Sequence, residues 1–222
     1  MLSDLSYFWL WCFLSLLRRA WLRWQIAGLE NLPAGEGIIL ASNHIHWIDI
    51  LVIDGSIPRS YRRAWLAKIE LVSNAFTAWL GSQAHLIPIR RGQIDKGALA
   101  AAEAALQNRR ALVIFPEGHR SGSGSLQEGR GGAIALALRT GCPIVPMAVW
   151  GTEVGLAGVL RRGPIQVRYG KPYHPLAVEA GSAREAMDKR IEELMLRIAA
   201  LLPKQYWGFY GERLQEMTPE PV

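Results

Sequence analysis

The sequence holds only two cysteines in 222 residues, Cys12 and Cys142. They stand in unrelated contexts, with no metal-ligand spacing around them. A disulfide framework and a structural zinc site therefore drop out as organising devices, and a reducing cytoplasm is the default compartment. No Gly-x-Ser-x-Gly is present, which argues against a nucleophile-elbow serine hydrolase. No nucleic-acid module and no internal repeat is visible. Acidic residues are outnumbered: 19 Asp and Glu face 25 Lys and Arg, for a formal net charge of +6 and a pI of about 9.6. Arginine supplies most of the excess and recurs in pairs, at Arg18-Arg19, Arg62-Arg63, Arg90-Arg91, Arg109-Arg110 and Arg161-Arg162. Such a balance suits an anionic partner. Nine tryptophans and an apolar N-terminus favour a membrane surface over nucleic acid.

A long uncharged apolar run is also missing. Leu5 to Leu17 is nearly all apolar, but Arg18, Arg19 and Arg23 follow at once. As helix, the uncharged part reaches only about 20 Å, against roughly 30 Å for the hydrocarbon core. A secretory signal would carry its charge first and small residues last; here the order is reversed. At helical spacing Leu10, Leu14, Leu17, Trp21 and Trp24 form one stripe with the arginines turned away. Residues 1–27 are therefore read as an amphipathic helix lying in or dipping into the membrane interface. A true span is the second reading and a core helix the third.

What remains reads as one domain over residues 28–203 and an aromatic tail over 204–222. Apolar runs of strand length occur at Ile38–Ala41, Arg63–Lys68, His85–Ile89, Ala111–Ile114, Ile144–Trp150 and Ile165–Tyr169. Helical patterns alternate with them: from Ile50, from the end of the second strand to Leu80, over Asp95–Asn108 with Asp95 as N-cap, from Arg130 to Arg139, and over Arg184–Leu202. This alternation predicts an α/β fold, a mixed and largely parallel sheet flanked by helices. The tail Tyr206-Trp207-Gly208-Phe209-Tyr210 has two readings, lipid contact and docking on the domain.

Two polar turns follow strand-like runs. The first is Ser42-Asn43-His44-Ile45-His46-Trp47-Ile48-Asp49 and the second is Phe115-Pro116-Glu117-Gly118-His119-Arg120-Ser121. Turns at two strand ends suggest one cleft over the carboxyl edge of a sheet. His44 and Asp49 suit a base and the carboxylate that fixes its tautomer. No serine or cysteine motif accompanies them as nucleophile, so the proton is expected to come from a substrate hydroxyl. His44, His46 and Asp49 also suggest metal ligation, with His119 as a further ligand. The metallo-β-lactamase pattern, however, needs Asp where Ile48 stands and His where Ile50 stands.

The chain resembles the 1-acylglycerol-3-phosphate O-acyltransferase family. The resemblance rests on four blocks in order: Asn43-His44 to Asp49, Ile87-Pro88-Ile89-Arg90-Arg91, Phe115 to Ser121, and Pro143-Ile144-Val145-Pro146-Met147-Ala148. It covers roughly Gly28 to Pro175. It implies transfer of a fatty acyl group from acyl-CoA or acyl carrier protein to the free hydroxyl of a lysophospholipid, with His44 as general base and Asp49 orienting it. Arg91 and Arg120 match the family's acceptor-phosphate arginines, and Arg130 stands where a basic residue is usual. Glu117 is expected to position an arginine or to meet the acceptor's glycerol, and Gly118 to admit close backbone approach. No metal and no further cofactor is implied. The expected setting is the cytoplasmic face of the inner membrane, monotopic or single-pass, with a lysophospholipid acceptor, an acyl thioester donor and no nucleic acid. His46, Arg90 and His119 depart from the family pattern near the acceptor site. They leave open another lyso-lipid, such as a lyso-ornithine lipid, as acceptor.

Overall fold

The computed structural model describes residues 24–69, 81, 85–89, 95–161, 163–175 and 181–217. Residues 1–23, the expected helix through Leu80, and both Arg90 and Arg91 lie outside them. Among the described residues, seven strands form one sheet: β1 (Trp24–Ala27), β2 (Ile38–Ser42), β3 (Arg63–Lys68), β4 (Leu86–Ile89), β5 (Ala111–Ile114), β6 (Ile144–Trp150) and β7 (Ile165–Tyr169). Their order is β1-β7-β6-β2-β5-β3-β4. Every neighbouring pair is parallel except β6 and β7. The architecture is the α/β fold with a mixed, largely parallel sheet that the alternation predicts.

The central strands are apolar on both sides because both faces of the sheet are covered. In β2 and β5, Ile39, Ala41, Leu112 and Ile114 turn to one face and Ile38, Leu40, Ala111 and Val113 to the other. The first face packs against α2 (Lys96–Gln107), α3 (Gly132–Thr140) and α5 (Ala183–Ala199). The second packs against α1 (Asp49–Ser56) and, through Val159, α4 (Gly155–Leu160). Helix ends follow local chemistry. Asp95 accepts the Ala98 N–H at 3.0 Å, and Ser182 accepts the Glu185 N–H at 3.2 Å. Along α5, Leu194 and Ile198 are buried, with Met187 and Ile191 partly so, as its apolar stripe requires.

Two expectations are corrected. Residues 24–27 are not the end of an N-terminal helix: they form β1, paired in parallel with β7 from Trp24–Ile165 to Ala27–Arg168. Trp24 and Ile26 pack on the second apolar cluster while Gln25 and Ala27 face outward, a period of two that the longer helical stripe concealed. Gly28 then ends the strand at φ +81, where an added Cβ would lie 2.0 Å from the Tyr169 carbonyl oxygen.

The second concerns the domain boundary drawn at residue 203; of the tail's two readings, docking on the domain is the one found. Residues 204–217 are part of the domain: two 3-10 turns lead into α6 (Gly211–Met217), and Tyr206, Tyr210 and Leu214 are buried in the first cluster. Leu126 gives its N–H to the Tyr206 carbonyl at 2.9 Å and receives that of Phe209 at 3.0 Å, so the tail is laced to the loop after β5.

Candidate active site

β2 and β5 run side by side, Ile38 opposite Ala111 through Ala41 opposite Ile114, so both polar turns emerge at the same sheet edge. Backbone bonds stitch them together. The His44 N–H donates to Glu117 Oε1 at 2.8 Å, and the Ser121 N–H donates to the His44 carbonyl at 2.8 Å. β6 lies on the other side of β2 and ends at that edge too. Asn43 joins it there: its amide donates to the Val149 carbonyl and its oxygen accepts the Val149 N–H, both at 2.8 Å. A side chain thus continues the ladder one step past the strand end. It holds the turn carrying His44 between its two neighbours.

His44 is buried against Phe115, the two rings stacked at 3.9 Å and 12°. Its Nδ1 lies 2.9 Å from Asp49 Oδ2. A carboxylate only accepts, so Nδ1 carries the proton and Nε2 is left as the basic nitrogen. Asp49 is fully buried at the first turn of α1. Its Oδ2 also accepts the Ile45 N–H at 2.7 Å and the His46 N–H at 2.8 Å, and its Oδ1 accepts the Thr152 hydroxyl at 2.5 Å. Four donors on one carboxylate pin its position and therefore the ring it holds.

His46 has different surroundings. Its ring lies 5.7 Å from that of Trp47, and its Nδ1 accepts the Ile48 N–H at 3.4 Å. His119 is exposed, with Nδ1 beside the Arg120 carbonyl oxygen. Among the described residues, no group of three or more His, Cys, Asp or Glu is arranged to hold a metal.

Glu117 is fully buried, with Oε1 accepting the His44 N–H and Oε2 the Gln127 N–H at 2.9 Å. Burial pushes its carboxyl up to about 7; the two backbone bonds oppose the rise and the Asp49 charge adds to it. The side chain faces the backbone of two loops rather than an open acceptor surface. Gly118 sits at φ +76, and an added Cβ would come within 3.1 Å of Arg130 Cδ and Nε. The close approach it admits is that of Arg130, whose N–H also donates to the Pro116 carbonyl at 2.8 Å. Arg120 and Arg130 are both exposed on this edge. Arg91 lies outside the described residues.

Three participants escape a reading of the sequence alone. Phe115 stands inside the second motif with no sign that it stacks on His44. Gln127 acts through its backbone, which leaves no trace in residue type. Thr152 did carry a signal: it is a polar residue just past a third apolar strand, the same pattern that marked the other two turns.

Comparison with known proteins gives the family and the fold. The Acyltransferase family profile matches residues 23–150, from the edge strand through the end of β6. A 1-acyl-sn-glycerol-3-phosphate acyltransferase of Bacillus subtilis is 29% identical over 181 residues, covering 77% of this chain and 87% of that protein. A chloroplastic protein of the same name from Brassica napus is 30% identical over 159 residues, covering 68% of this chain but only 45% of the relative. A lyso-ornithine lipid O-acyltransferase of Pseudomonas aeruginosa is 31% identical over 144 residues, covering 60% of this chain and 54% of that protein. In fold, the chain is similar to the crystal structure of the 1-acyl-sn-glycerophosphate acyltransferase PlsC from Thermotoga maritima. The TM-score is 0.61 at 22% identity, covering 99% of this chain and 78% of that one. The matched region contains both polar turns and the buried His44–Asp49 pair, and the chain belongs to the Acyltransferase family.

Proposed function

We propose that the protein transfers a fatty acyl group from a thioester donor, acyl-CoA or acyl carrier protein, to the free hydroxyl of 1-acylglycerol-3-phosphate, giving phosphatidic acid. The observation that carries this reading is the buried pair of His44 Nδ1 and Asp49 Oδ2 at 2.9 Å, which leaves Nε2 as a base at the edge where both motifs converge. In the reaction, Nε2 takes the proton of the acceptor hydroxyl as its oxygen attacks the thioester carbonyl carbon. The tetrahedral intermediate then expels the thiolate as the C–S bond breaks. The thiolate takes the proton back from the imidazolium, and an ester and a free thiol leave. Asp49 holds the tautomer and stabilises the imidazolium. General-base catalysis of this kind contributes about 10²- to 10⁴-fold.

The acceptor's phosphate requires cationic donors, and the guanidinium fork suits it better than an ammonium. Arg91, Arg120 and Arg130 are assigned to it, with Gly118 admitting Arg130. Glu117 is assigned to positioning: it ties the His44 turn to the loop carrying Arg130. Arg91→Ala and Arg120→Ala should each lower kcat/KM for the acceptor by about 10-fold or more, on the order of 1.5–3 kcal/mol, with the donor's KM little changed. Equal damage to both substrates would contradict the assignment.

A second reading, acylation of a lyso-ornithine lipid, is favoured by the similarity to the Pseudomonas aeruginosa enzyme of that activity and by the departure of His46, Arg90 and His119 from the family's sequence pattern. One assay separates them: radiolabelled acyl thioester offered with lysophosphatidate or with a lyso-ornithine lipid. Labelled phosphatidic acid is the expected product. Label entering the ornithine lipid alone would transfer the assignment to that acceptor, and label entering neither would contradict both.

A further inference from the structure

Thr152 lies beyond the matched family region, which ends at residue 150, yet it touches the centre of the site. It is fully buried, and its hydroxyl reaches Asp49 Oδ1 across 103 positions of sequence at 2.5 Å. Its surroundings hold it there. Gly151, at φ +87, can carry no side chain, because a Cβ would meet the Pro164 carbonyl oxygen at 2.1 Å. The Gly151 N–H donates to Glu153 Oε2 at 2.8 Å, Glu153 Oε1 accepts the Tyr206 hydroxyl at 2.6 Å, and the Gly155 N–H closes the turn onto the Thr152 carbonyl at 3.0 Å. A hydroxyl fixed so firmly on the oxygen that His44 does not use has a direct chemical consequence. It shares the carboxylate's negative charge and prevents the carboxylate from rotating.

We propose that Thr152 is the third member of the His44–Asp49 pair, a positioning residue whose hydroxyl fixes the Asp49 carboxylate and sets the proton affinity of the His44 ring. The assignment rests on His44 acting as the base. The titratable groups bonded to His44 are Asp49 at its ring and Glu117 at its backbone N–H, and His46 stands two positions along its own turn. Only Asp49 is touched by Thr152. Without the hydroxyl, the charge on Oδ1 is unshared in a fully buried place, the imidazolium is favoured, and the base stays protonated to higher pH.

The test compares T152V, which keeps the shape and loses the donor, with T152S, which keeps the donor. T152V should lower kcat/KM at neutral pH by about 10- to 100-fold, the effect of losing one hydrogen bond to a charged group. Its acidic limb should move to higher pH, so that activity partly returns in alkaline buffer, and T152S should keep most activity with the limb in place. T152A is read in the same way if T152V does not fold. A second measurement needs no substrate: the imidazole NMR titration of His44, assigned by its loss in His44→Gln, should move upward in T152V and not in T152S. Wild-type activity and an unmoved titration in T152V would overturn the role of Thr152. A wild-type protein that transfers no acyl group to any acceptor would instead overturn the proposed function, and the titration would still decide on Thr152.

Discussion

Asp49 gathers four donors on two oxygens while Glu117, also fully buried, accepts two backbone N–H groups, and both carboxyls bond to the His44 turn. The pairing of His44 with Asp49 was legible because five positions across a strand-to-helix turn bring a ring and a carboxyl together. The different contacts of His46 agree with the alternation of side chains along an extended turn. His46→Ala should therefore retain most transfer activity, measured beside wild type in the same acceptor assay. The burial of Glu117 was not legible, since a Glu between Pro116 and Gly118 looks like an exposed loop residue. Its carboxyl rises from an ordinary 4.5 to about 7 in the fold, so its contribution to stability is fully present below about 4.5 and is lost as pH rises through about 7. Relative to Glu117→Gln, the wild type should lose roughly 3 kcal/mol of unfolding free energy across that window, measured by urea titration at several pH values. A difference between the two proteins that does not change with pH would contradict the buried placement.

At the scale of elements, six strands were readable because each is a short β-branched or apolar run bounded by turn residues. β6 and β7 fall where the runs Ile144–Trp150 and Ile165–Tyr169 place them. β1 was hidden, since four residues of alternation cannot compete with a helical stripe that continues through the same tryptophan. α4 was hidden, and docking of the tail was only one of two readings, for another reason: such segments are held by distant partners, as when the Gly129 N–H finds the Tyr210 hydroxyl at 2.9 Å. The tail therefore supplies a test of its two readings. Tyr210 is buried and Phe209 is 61% exposed. Tyr210→Ala should cost about 3 kcal/mol in urea unfolding, and Phe209→Ala no more than about 0.5 kcal/mol. Weakened vesicle binding in Phe209→Ala, with stability unchanged, would restore a lipid contact for this one ring.

At the scale of the whole molecule, the proposed function and the net charge of +6, the arginine pairs and the tryptophan-rich N-terminal sequence lead to one expectation, binding to an anionic bilayer. Among the described residues, no helix is long and apolar enough to cross a membrane, and residues 1–23 lie outside them. The full chain should sediment with anionic vesicles, and removal of residues 1–23, which spares β1, should release it. Equal sedimentation of both forms would contradict the N-terminal anchor. The measurement that bears most directly on the chemistry uses the vesicle-bound 222-residue protein: transfer of a radiolabelled acyl group to lysophosphatidate by wild type, His44→Ala and Asp49→Asn. With His44 as base and Asp49 holding its tautomer, His44→Ala should keep its fold by circular dichroism and lose nearly all transfer. Asp49→Asn should be severely impaired, because an amide neither fixes the ring nor stabilises the imidazolium. Near-wild-type transfer by a folded His44→Ala protein would contradict the assignment of His44 as the base.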